Sequence, residues 1–72
     1  METKELLTVF ASLSIKDSLT SEEAMKKDEV ERALSSRYAG KPHEVLDSDI
    51  IEAVKVLEPG ADITVERYVV VH

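Results

Sequence analysis

The stretch of residues 63–71, which ends in three consecutive valines, constrains the fold more than any other. It is rich in β-branched side chains and holds a tyrosine, and both types are typical of β-strands. Because side chains alternate along a strand, one face carries five of them, apolar apart from the arginine: Ile63, Val65, Arg67, Val69 and Val71. We therefore predict a β-strand at 63–71, whose backbone N–H and C=O groups need a neighbouring strand.

The mate of this strand could lie elsewhere in the chain, in a second copy or in a partner protein. The chain has 72 residues and no cysteine, so it buries only about 60% of its unfolded surface and has no disulfide to reinforce it. Self-association or complex formation is the common remedy. We therefore predict a homodimer or a protein complex formed through this strand, with these partner-binding residues: Ile63, Val65, Arg67, Tyr68, Val69, Val70 and Val71.

Residues 3–14 admit two interpretations. Leu6, Phe10 and Leu13 recur at helical spacing, and Thr3 could cap such a helix. The alternation from Val9 to Ile15 is typical of a strand and would supply a mate for 63–71. We favour the helix and keep the strand as the alternative.

A second helix is predicted from Thr20 to about Tyr38. Thr20 and Glu23 have the spacing of a capping box, in which each side chain bonds the other's backbone amide. The helical period breaks near Lys27, so a kink or two short helices are possible there. Gly40, with a proline behind it, predicts the end of the helix.

A third helix is predicted to begin at Asp47-Ser48-Asp49 and to run to Leu57, with a strand at 52–57 as the alternative. Glu58-Pro59-Gly60-Ala61 has the residue order of a type II turn. We therefore predict an α+β fold for a single domain, residues 1–72. In it, three short helices pack on a small antiparallel sheet that includes the strand 63–71.

The net charge of −6 opposes non-specific binding to nucleic acid, whose affinity comes largely from phosphate neutralisation. Residues 43–72 contain seven acidic residues and only two basic ones. Three helices and a terminal strand resemble a winged module in outline, but the third helix is acidic. A nucleic-acid-binding regulator is therefore an alternative that would depend on a basic patch at 26–41, consisting of Lys26, Lys27, Arg32, Arg37 and Lys41. An acidic nucleic-acid mimic that inhibits a DNA-binding protein is a second alternative.

The sequence offers no convincing catalytic or cofactor site. Asp47, Asp49 and Glu58 match three positions of a calcium loop, but glutamate stands where that loop needs glycine. His43 and His72 lack the spacing of a metal or catalytic set. We expect no metal, no cofactor, no small-molecule substrate and no enzymatic activity. We also expect no signal peptide or membrane span, and hence a cytoplasmic protein-interaction module that acts as a regulatory or accessory subunit.

Overall fold

Three helices contain every buried apolar side chain of residues 1–64. The computed structural model describes residues 1–64 and 69–71. The elements in chain order are α1 (Thr3–Ile15), α2 (Ser21–Arg37), α3 (His43–Leu57), β1 (Asp62–Thr64) and β2 (Val69–Val71). Helix α1 packs against both α2 and α3, so it is the central element of the fold.

The predicted helix over residues 3–14 is confirmed as α1, and the strand alternative is wrong. In a strand with Val9, Ala11, Leu13 and Ile15 on the buried face, Phe10 would lie on the solvent-exposed face. Phe10 is instead fully buried in the core. The helix begins without a side-chain cap, with Glu2 at its N-cap, so the predicted capping by Thr3 is wrong.

Helix α2 begins with the predicted capping box. The Glu23 amide donates to Thr20 Oγ1 at 3.1 Å, and the Thr20 amide donates to Glu23 Oε1 at 3.0 Å. The hydrogen bond from Lys16 and then the one from the Thr20 amide hold the pKa of Glu23 below its ordinary value. The helix continues without interruption to Arg37, so the predicted break near Lys27 is wrong. Gly40, at φ +88°, follows its end as predicted.

Helix α3 is confirmed, but it begins four residues earlier than predicted, and the strand alternative at 52–57 is wrong. Pro42 occupies the N-cap with φ −57° and ψ 142°, and no side chain caps the helix. The acidic residues expected to cap it lie inside the helix, where Asp47 Oδ1 is 3.4 Å from His43 Nε2. A proline can therefore begin a helix at a position where the search for a polar cap misses it.

The predicted type II turn is confirmed after α3. The Ala61 amide donates to the Glu58 carbonyl at 3.1 Å, and Gly60 has φ +88°. Strands β1 and β2 then pair antiparallel, with Ile63 opposite Val70. The predicted continuous strand 63–71 is therefore wrong, since its two ends pair with each other.

The predicted α+β fold, in which helices pack on an antiparallel sheet, is also wrong. The core is helical: one cluster joins Leu6 and Phe10 of α1 to the buried side chains of α2 and α3, namely Val30, Leu34, Leu46 and Ile50. The strands contribute half-buried Ile63 at the edge of that cluster. Three helices that bury their apolar stripes against one another need no sheet to cover them.

We expect Thr20→Ala to lower the free energy of unfolding by roughly 0.5–2 kcal/mol, because it removes the acceptor of the capping box. Urea unfolding followed by circular dichroism measures the change. Ser21→Ala is the matched control, since Ser21 is exposed and is the first residue of the helix itself. Equal unfolding midpoints for Thr20→Ala and the wild type would contradict a stabilising role for the cap.

Candidate functional site

An open groove of about 340 Å³ lies between α1 and α3. Its apolar lining comes from Leu7 on α1 and from Ala53, Val56 and Leu57 on α3. Its polar lining consists of Lys4, Thr8, Asp49 and Glu52. The groove therefore has an apolar floor and charged groups along its sides.

The groove exists because the apolar surface of α3 is wider than the surface that α1 covers. Leu46, Ile50 and Val54 are buried against the neighbouring helices. Val56 and Leu57 belong to the same helix but are 79% and 45% exposed. The small side chain of Ala53 leaves open the space that a larger residue would fill.

The two sides of the groove carry opposite charges. Lys4 stands on α1, whereas Asp49 and Glu52 stand on α3. Asp49 is already engaged, because the Tyr38 hydroxyl donates to Asp49 Oδ2 at 2.6 Å. Lys4 and Glu52 are exposed, and neither forms an ion pair with another residue of the described ranges.

Burial raises the pKa of Tyr38 to about 12, and the bond to Asp49 acts in the same direction. Both causes favour the neutral phenol over the phenolate. The resulting stabilisation is complete below the ordinary tyrosine pKa of about 10 and is lost as the pH rises through about 12. At neutral pH this bond therefore holds Asp49 beside the groove.

The predicted partner-binding residues lie apart from the lining of this groove where the structure describes them. Ile63 is half-buried and packs against the core. Val65, Arg67 and Tyr68 lie outside the described residues. Val69, Val70 and Val71 form β2, whose backbone lies near α1 and pairs with β1. Strands β1 and β2 therefore each satisfy one hydrogen-bonding edge within the chain.

Four of the five cations in the basic patch predicted at 26–41 make contacts within the described part of the chain. Arg37 donates to Thr3 Oγ1 at 3.2 Å and to the Met1 carbonyl, and Arg32 lies 2.8 Å from Asp28. Lys27 and Lys41 lie 5.5 and 5.3 Å from the ring centres of Phe10 and Tyr38, respectively. The acidic α3 would repel phosphate. Nucleic-acid binding, like the acidic-mimic alternative, stays a prediction.

Metal-binding clusters and membrane-spanning helices are both absent from the part of the chain that the structure describes. Residues 1–64 and 69–71 contain no group of three or more histidine, cysteine, aspartate or glutamate side chains placed to hold a metal ion. None of the helices described above is long and apolar enough to cross a membrane.

We expect the Tyr38 phenol to titrate near pH 12 rather than near 10. Ultraviolet absorbance of phenolate against pH measures this in a Tyr68→Phe background, where Tyr38 is the remaining tyrosine. Asp49→Asn removes the charge and should lower the midpoint, whereas Asp47→Asn is the control and should leave it unchanged. A midpoint near 10 in the background protein would contradict the raised pKa, and equal midpoints with and without Asp49→Asn would contradict a contribution from the bond to Asp49.

Comparison of the chain with protein-family models, with curated proteins and with solved structures gives no match. The open groove and its charged sides are therefore the observations on which a function can rest.

Proposed function

We propose that this chain is a small acidic protein-interaction module that self-associates, acts as a regulatory or accessory subunit and has no catalytic activity of its own. The observation that carries the proposal is the apolar floor of the groove, where Val56 is 79% exposed beside Leu57. Neighbouring apolar side chains on an open surface are typical of protein contacts. The absence of cysteine fits a cytoplasmic setting.

The shape of the groove favours a protein over a small molecule. Pockets for small ligands enclose most of the ligand surface and direct several polar groups at it. Here the apolar lining is itself open, since Val56 is 79% exposed to solvent. Of the two carboxylates in the lining, Asp49 already accepts a hydrogen bond from Tyr38. A broad surface, such as a helix face of another chain, would cover these residues better.

A second copy is the occupant we favour. A chain of 72 residues has a small core, and burying further apolar surface between two copies would add stability. The sequence led us to expect this contact at 63–71. The described ends of that stretch, in β1 and β2, pair with each other, so we now locate the contact at the groove.

We expect Val56→Lys to weaken the dimer about tenfold or more, because it places a charge in the apolar lining of the groove. Sedimentation velocity over a dilution series measures the dissociation constant. The folded monomer should keep its stability, since Val56 is largely exposed and lysine favours a helix more than valine does.

Met25→Lys is the matched control, because Met25 is 74% exposed on α2 and does not line the groove. It should leave the dissociation constant unchanged. A wild-type chain that sediments as a monomer at every concentration would contradict self-association. Equal weakening by both variants would contradict the groove as its location.

A further inference from the structure

The groove has the charge pattern of a surface that can pair with itself. Its α1 side presents the Lys4 ammonium and its α3 side presents the Glu52 carboxylate. Both side chains are exposed, and no ion pair joins either of them to another residue of the described part of the chain. Each copy therefore offers one exposed cation and one exposed anion beside the same apolar floor, together with the Asp49 carboxylate, which keeps its charge while it accepts from Tyr38.

A two-fold axis decides which groups meet. In an isologous contact, a residue that touches a second residue of the partner is matched by the reverse contact. If the axis runs along the groove, α1 of each copy lies over α3 of the other. If the axis runs across the groove, α1 lies over α1 and α3 over α3. The first arrangement brings opposite charges together, and the second brings like charges together.

We propose that two copies pack groove to groove about an axis along the groove, with Lys4 of each copy paired with the partner's Glu52. The proposal rests on the self-association proposed above and names its geometry. Leu7 of each copy then faces Val56 and Leu57 of its partner, so apolar side chains fill both grooves. The two ion pairs flank this contact and select its orientation, which is the usual role of charges at the rim of an interface.

A basic amphipathic helix of another protein fits the groove less well. Its cations would match Glu52 but would also approach Lys4 on the opposite side. The other carboxylate in the lining, Asp49, is held by the Tyr38 hydroxyl. A second copy matches both signs at once, and for this reason the structure assigns the groove to it.

Charge reversal tests this pairing, since each copy carries a net charge of −6 and two copies repel each other at long range. Glu52→Lys lowers that repulsion, so an effect of net charge alone would strengthen the dimer. The proposed pairing predicts the opposite result, because two lysines would then meet on each side. We expect Lys4→Glu and Glu52→Lys each to raise the dissociation constant about tenfold, measured by sedimentation velocity at low ionic strength.

The double variant Lys4→Glu with Glu52→Lys restores opposite charges with the positions exchanged. We expect its dissociation constant to return to within about threefold of the wild-type value. Lys26→Glu and Glu22→Lys are the matched controls, because they make the same charge changes on exposed positions of α2 outside the groove. Lys26→Glu makes each copy more acidic and should raise the dissociation constant. Glu22→Lys makes each copy less acidic and should lower it.

The outcomes separate this pairing from the proposed function. If the dimer forms and Val56→Lys dissociates it, but the double variant is no better than the single ones, the groove contact stands and the pairing is overturned. The pairing is also overturned if Glu52→Lys strengthens the dimer as Glu22→Lys does. If the wild type stays monomeric, the proposed self-association itself fails.

Discussion

The burial of Phe10 is the contact on which the rest of the fold depends. Its ring is completely buried and shares one cluster with Val30 and Leu34 of α2 and with Leu46 and Ile50 of α3. A central aromatic side chain contributes more buried area than any other residue type in such a small core. Because Phe10 faces both other helices, α1 must lie between them, and the interface of α1 with α3 must extend along both helices. The groove lies at the part of that interface where α1 presents Leu7 rather than Phe10.

The sequence predicted the three helices, the capping box of α2 and the turn after α3, because local signals define each of them. Thr20 and Glu23 bond within one helical turn, and Gly60 adopts the positive φ that its turn requires. The start of α3 was missed because Pro42, which has no polar side chain to signal a cap, occupies the N-cap position. The fold class was missed because the three helices bury their apolar stripes against one another, so the core needs no sheet to cover it. The antiparallel pairing of β1 with β2 depends on contacts that composition does not record.

The candidate site could be predicted only in part from the sequence. The length of the chain led us to expect self-association or complex formation, which stays a prediction, and Val56 and Leu57 are apolar residues that the helices leave exposed. Their location could not be derived, since the sequence analysis assigned the contact to the C-terminal stretch. One signal was available in the run from Ala53 to Leu57. Apolar residues there occupy more of the helix circumference than a single neighbouring helix can cover.

The apolar residues of α3 that stay outside the core also create the groove. A helix buried on one side needs a narrow apolar stripe, and α3 has a wider one with a small alanine in the middle. Replacing Ala53 by a larger residue could fill the groove within one chain, and the monomer would then gain packing at the expense of the open surface. In the proposed dimer the missing volume is supplied by side chains of the second copy. Association then adds to stability as the protein concentration rises, because a partner that binds the folded state shifts the unfolding equilibrium. The charges at the two sides of the groove act differently from its apolar floor. They add little to the stability of the monomer, since exposed ion pairs are weak, but they distinguish one orientation of two copies from the other.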